Sequence, residues 1–240
     1  YEFTKRALLA GKSVCTSNKE LVAKHGTELL EIAKANDINY LFEASCGGGI
    51  PIIRPLNSSL TADEIDEITG ILNGTTNYIL DAMHCNSTQF DVALKEAQKL
   101  GFAEADPSSD IDGLDTKRKI AISANIAFGV SVNPDEVDVI GIRNVSAQAL
   151  RDAEAHGYIC RLIAKAKDSE GEISAWVEPT FVKTTSPYAC VSQNLNRISL
   201  DADNVGDISF FGYGAGRYPT AFTVINDCVD VANGVKKTYN

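Results

Sequence analysis

Residues 101–122 read GFAEADPSSDIDGLDTKRKIAI, and their charges are sorted: Glu104, Asp106, Asp110, Asp112 and Asp115 come before Lys117, Arg118 and Lys119. Acids at a helix start followed by bases suit the helix macrodipole, so this order predicts a loop that enters a helix near Leu114 and runs to Phe128. Gly101 and Gly113 punctuate the run at both ends. Ser108, Asp110, Asp112 and Gly113 also occupy positions 1, 3, 5 and 6 of a calcium-loop pattern, but position 12 is Lys119, where such a loop needs a bidentate carboxylate. An ammonium there opposes a cation. Inside the expected helix Asp115 and Lys119 stand four apart, on one face and one turn from the N-terminus.

Upstream, the first 45 residues alternate helix and strand signals. YEFTKRALLAG is helical, KSVCTS extended, ELVAKHGTELLEIAKAND helical and NYLFEAS extended, a βαβ rhythm. No strand running into G-x-G-x-x-G precedes Tyr1, so this part reads as the later portion of a dinucleotide-binding fold. EASCGGGIPII follows, with three consecutive glycines that suit unusual dihedrals or close backbone approach. GILNGTTNYIL, residues 70–80, reads as a strand end turning into a short helix. Residues 87–100 read as an amphipathic helix with Ser87 as N-cap and Phe90, Ala93, Leu94, Ala97 and Leu100 on its apolar face.

Downstream of about Asp135 the pattern becomes strand-rich. YICRLIAKAKD and EISAWVEPTFVK read as strands joined by a turn at DSEGE, followed by strands at NRISLDA and DISFFGYG. Gly212, Gly214 and Gly216 then precede a helix whose Pro219 fits its first turn. The expected fold class is α/β: an α+β catalytic domain with a mixed sheet and helices, plus an incomplete Rossmann-type segment.

A chain of 240 residues with 44% hydrophobic content can bury a substantial core as one large domain or two small ones. Its net charge of −10 and lack of a basic stripe argue against nucleic acid or an anionic membrane as partner and favour a small polar substrate. The six cysteines are widely scattered with no C-x-x-C pair, which fits reduced thiols rather than a disulfide framework or zinc site. No signal peptide or membrane-spanning apolar run is present, so the expected location is cytoplasmic.

These segments carry a resemblance. GKSVCTSNKELVA, FEASCGGGIPII, GILNGTTNYIL, EAQKLGFAEADPSSDIDGLDTKRKIAI, VEPTFV and GYGAGRYPTA occur in the order and at the spacing of homoserine dehydrogenases. The chain resembles that family over nearly its whole length, except that the family's cofactor-binding strand and glycine turn have no counterpart before Tyr1. The resemblance implies NAD(P)-dependent interconversion of aspartate 4-semialdehyde and homoserine, in threonine, methionine and isoleucine biosynthesis. It implies Lys119 as the catalytic proton donor and Lys19 as a second lysine at the reacting end and near the cofactor. Glu104 and Asp115 are expected to bind the substrate ammonium, with Asp110 in support, and Gly101 and Gly216 to lie by the cofactor, NADP or NAD.

The chemistry suits those residue types, since a zwitterion calls for fixed carboxylates and a carbonyl being reduced for a cationic donor. A lysine titrates near 10.4 when unperturbed, so a shuttle calls for burial or a neighbouring cation, which Lys19 could supply. The resemblance further implies a monovalent cation, sodium, held by the Glu43 carboxylate and by carbonyls of Cys46, Gly48 and Ile50, and a homodimer formed through the sheet. Expected units are residues 1–45, the Rossmann remainder; 46–217, the catalytic and dimerisation domain; and 218–240, a helix returning to the cofactor domain. The chain as given is expected to dimerise and hold homoserine without NAD(P)-dependent turnover of its own, because the pyrophosphate needs the missing glycine turn. Two competing readings are a non-catalytic dimerisation and substrate-binding module and an oxidoreductase for a different semialdehyde.

Overall fold

The computed structural model describes residues 1–237 and 239. Residues 238 and 240, part of the expected C-terminal unit, lie outside the described residues. The N-terminal βαβ rhythm is present: α1 (Glu2–Leu9) leads to β1 (Val14–Cys15), α2 (Lys19–Ala35) and β2 (Tyr40–Leu41), with β1 and β2 parallel. The Asn18 side chain caps α2 by accepting from the Leu21 amide at 3.0 Å. NYLFEAS is extended only at Tyr40–Leu41, and Glu43–Ser45 forms a 3-10 turn instead.

The larger sheet begins with β3 (Ile65–Ile71), which runs into α3 (Gly74–Cys85). Next come α4 (Phe90–Lys99), the single turn α5 (Ser108–Ile111), α6 (Leu114–Phe128), β4 (Asp138–Val139) and α7 (Ala147–Ala155). Then β5 (Tyr158–Ser169), β6 (Glu172–Lys183), β7 (Leu195–Ala202) and β8 (Ile208–Tyr213) lead to α8 (Arg217–Ala232). The six-stranded order is β4-β6-β5-β3-β7-β8, antiparallel except for the β4–β6 pair, so the sheet is mixed as expected. Glu170 at φ 56° and Gly171 at φ 91° make the tight turn between β5 and β6, a conformation whose twist matches that of the flanking strands.

Two expectations are corrected here. Ser87 does not cap α4; its φ is 51°, and the helix starts after Gln89, because a left-handed residue cannot hold the extended conformation of an N-cap. On α4, Ala93 and Ala97 are buried but Leu100 is 52% exposed, since the helix ends at Lys99. The helix α7, capped by Ser146, was not anticipated within the strand-rich half.

The expected helix over Leu114–Phe128 is present as α6, bounded by left-handed Gly113 and Gly129, and it holds the layers together. It packs on β3, β5 and β6 with one face and on α2 with another, burying Ile120, Ala121, Ile122 and Ala124. Each buried isoleucine is worth about 1.5–3 kcal/mol. Asp115 and Lys119 are buried on the same helix, which places charge where the packing is tightest.

The triple glycine works through close approach. Gly48 has φ 59°, and a Cβ there would run into the Gly214 carbonyl; Gly49 donates its amide to Tyr213 O at 3.0 Å. Gly48→Ala is therefore expected to lower the melting temperature by several degrees, through left-handed strain and a backbone collision that no rotamer relieves. Gly26→Ala, inside α2 with only ordinary contact to Val22, is expected to raise stability by about 0.5–1 kcal/mol. Thermal unfolding of the two variants checks both, and equal effects would refute the close-approach account.

Candidate active site

Three segments converge on one cluster of charge. The residues after β3 supply Leu72 and Asn73, the α5–α6 segment supplies Asp110, Asp115 and Lys119, and the start of α2 supplies Lys19. Local sequence explains each placement. Gly113 turns the chain so that α6 begins with Asp115 in its first turn, and Lys119 follows one turn later on the same face. Asn18 starts α2 just after β1, which sets Lys19 at the carboxyl end of a parallel strand, where open α/β sheets hold their ligands.

Asp115 is the centre of the cluster. Its Oδ1 lies 2.6 Å from Lys19 Nζ and its Oδ2 lies 2.9 Å from Lys119 Nζ, so one carboxylate stands between two ammonium groups. Lys119 Nζ also donates to Leu72 O at 2.7 Å. An ammonium has three hydrogens, so two are committed and one is left free. Burial alone pushes the Asp115 carboxyl up. The charges of Lys119 and Lys19, with hydrogen bonds from Lys19 and Asn73, overcome this and hold it well below the usual carboxylate range. Lys119 is 6% exposed, whereas the Lys19 side chain is 41% exposed, so Lys19 is the member open to solvent.

Asp110 joins through Asn73, whose Nδ2 donates to Asp110 Oδ1 at 2.7 Å and to Asp115 Oδ2 at 2.9 Å. Burial raises the Asp110 carboxyl, and the nearby negative charge of Asp115 adds to the rise, against the hydrogen bond from Asn73. Sequence reading singled out Lys19, Asp110, Asp115 and Lys119, and the structure brings all four together. It missed Asn73 and the Leu72 carbonyl. An Asn before a helix is an N-cap signal, and Asn73 does accept from the Thr76 amide at 2.9 Å. Nothing local revealed its second task.

Glu104 is not drawn in. It is exposed on the loop after α4, its side chain meets no polar partner among the described residues, and its carbonyl accepts from Gln98 at 3.0 Å. Gly101 (φ 77°) ends α4 and Gly216 (φ 120°) precedes α8, both exposed. A cavity of about 380 Å³, lined by Leu30, Tyr40, Phe42, Ile126 and Tyr239 among others, lies apart from the charged cluster.

At the expected cation shell Glu43 is bonded within the chain. Its Oε1 accepts from the amides of Ile52 at 2.6 Å and Ile53 at 2.8 Å, its Oε2 accepts from the amide of Arg54 at 2.7 Å, and the Arg54 guanidinium lies 3.7 Å away. The three amides leave about one of the four acceptor positions of the carboxylate free. The Gly48 carbonyl accepts from the Thr223 hydroxyl at 2.7 Å. Cys46 and Ile50 lie on the same loop and are buried.

With this geometry established, comparison with known proteins is informative. A family model described as homoserine dehydrogenase matches residues 51–229. Homoserine dehydrogenase of Corynebacterium glutamicum is 44% identical over 94% of this chain and 52% of its own length, and that of Lactococcus lactis 38% over 96% and 54%. The chain thus spans about half the length of the curated relatives it matches. Among solved structures, a homoserine dehydrogenase from Thiobacillus denitrificans superposes with a TM-score of 0.93 at 41% identity, covering 96% of this chain and 53% of that one. A hyperthermophilic archaeal homoserine dehydrogenase in complex with NADPH gives 0.85 at 32% identity, covering 99% and 69%. The matched residues include β3, α6 and the Asp115–Lys119 pair, and the chain belongs to the homoserine dehydrogenase family.

Proposed function

We propose that this chain carries the substrate-binding and proton-transfer part of an enzyme that interconverts L-aspartate 4-semialdehyde and L-homoserine with NADP or NAD. The observation that carries the reading is the buried Lys119 ammonium, fixed by Asp115 and the Leu72 carbonyl with one hydrogen to spare. In the reducing direction Lys119 gives its free hydrogen to the carbonyl oxygen as negative charge grows there; in the oxidising direction it takes the hydroxyl proton back. Lys19, half-exposed on the other side of Asp115, moves onto the same oxygen when substrate enters. Asp110 and Asp115 face the substrate ammonium, and Glu104, exposed on its loop, is the third carboxylate that the family resemblance assigns to it.

A bound NAD(P)H supplies the hydride. The residues that would hold its nicotinamide end are Lys19 and the turn before it, at the carboxyl end of β1, with Gly101 and Gly216 at the margin. The parallel β1–α2–β2 unit fits that task. No G-x-G-x-x-G occurs in these 240 residues, so the pyrophosphate donors are not assigned to them. The unit division at about residues 45 and 217 belongs to the same reading, with α8 packed on β1 and on the Glu43–Ser45 turn. So does a homodimer through the sheet face that presents Phe211 and Tyr213, 55% and 57% exposed. Among the described residues no helix is long and apolar enough to cross a membrane, and a cytoplasmic site for the enzyme is part of the proposal.

Lys119→Ala, in the protein at its full natural length, is expected to lower kcat by about 10²- to 10⁴-fold with little change in homoserine binding, measured from absorbance of the reduced cofactor. Near-normal turnover would overturn the proton-transfer role. Asp115→Ala is expected to raise the KM for homoserine strongly and to reduce kcat as well, because it releases both lysines at once. An unchanged KM would remove Asp115 from the ammonium site. Analogues without the amino group are expected to be poor substrates, and equal use of them would favour a different semialdehyde.

A further inference from the structure

We propose that Asn73 is a positioning residue for the reaction: it holds Asp110 and Asp115 at a fixed separation by giving one amide hydrogen to each. This rests on the homoserine reading above and adds a residue to it. The side chain is 5% exposed, and both of its functional atoms are engaged. Nδ2 donates to Asp110 Oδ1 at 2.7 Å and Asp115 Oδ2 at 2.9 Å, while Oδ1 accepts from the Thr76 amide at 2.9 Å and the Thr76 hydroxyl at 3.0 Å. One planar amide therefore ties the start of α3 to α5 and α6.

The charges around it explain why an amide is needed. Facing the two carboxylates are Lys119 from α6 and Lys19 from the start of α2, both on Asp115. Asp110 receives no ammonium of its own, and Asn73 is its hydrogen-bond donor, the nearby Thr75 hydroxyl donating to Phe102 O at 2.6 Å. Two carboxylates repel each other, and a neutral carboxamide with two hydrogens gives each of them one bond without cancelling their charge. A lysine in its place would neutralise the pair that must receive the substrate ammonium. An aspartate would add a third negative charge and remove both hydrogens. The neighbouring Leu72 carbonyl holds Lys119 at 2.7 Å, so consecutive residues orient the acid and the carboxylates together. A shift of one therefore displaces the other.

The test uses Asn73→Ser and Asn73→Asp, both of which can still cap α3 while the bridge is lost, with circular dichroism to establish that each variant is folded. Two measurements are made: steady-state kinetics with homoserine and NADP in the full-length protein, and ¹³C NMR titration of the Asp110 and Asp115 carboxyls. The serine variant is expected to raise the KM for homoserine about tenfold or more with a smaller loss in kcat, from weakened charge-assisted bonds. It should also move the acid limb of kcat/KM and the Asp110 titration to higher pH. The aspartate variant should exaggerate both shifts. A folded serine variant with unchanged carboxyl titrations and unchanged KM overturns the proposal. If the carboxyls shift but the wild-type protein does not bind homoserine at all, the substrate reading fails while Asn73 stands as the organiser of the pair.

Discussion

One carboxylate between two lysines is the constraint on which the site depends. Asp115 sits on a helix buried against the sheet, and a lone charge there would cost several kcal/mol of desolvation. It is tolerable because Lys119 comes from the same helix face, Lys19 from the start of α2, and an amide hydrogen from Asn73. These partners belong to three segments. Each must arrive correctly for the charge to be satisfied, so the electrostatics of the site and the packing of α6 against α2 and β3 enforce each other.

A second ionic network fastens residues 43–54 to α8. Arg54 reaches Asp227 at 2.7 Å and Asp230 at 3.1 Å on α8, while Asp227 also accepts from the Glu43 amide at 3.2 Å. Glu43 in turn gathers the amides of residues 52–54. The glycine loop, in which a side chain at Gly48 would meet Gly214, is thereby closed over α8. Three amides and a nearby guanidinium surround the Glu43 carboxylate with positive potential.

Much of this was legible along the chain because it is local. The βαβ rhythm, the β3–α3 turn, the extent of α6 and the β5–β6 hairpin all follow from periodicity and turn residues within short windows. Errors occurred where local signals compete. Ser87 looked like a cap but takes a left-handed φ, and α7 was lost among flanking strands. The amide partners of Glu43 were not legible either, since only the path of residues 50–54 brings them to it.

By itself the sequence determined which charged residues share a face: the i, i+4 pairing of Asp115 and Lys119 follows from helical geometry alone. Tertiary structure decided which distant residues join them. Lys19 lies 96 positions before Asp115 and Asn73 lies 42 before it, and bonds over such separations depend on how α2, β3 and α6 pack. Glu104, closer in sequence than either, stays at the surface. Side-chain bonds between distant segments form only where buried apolar surface has already brought the backbones together, and no local pattern of residues encodes that approach.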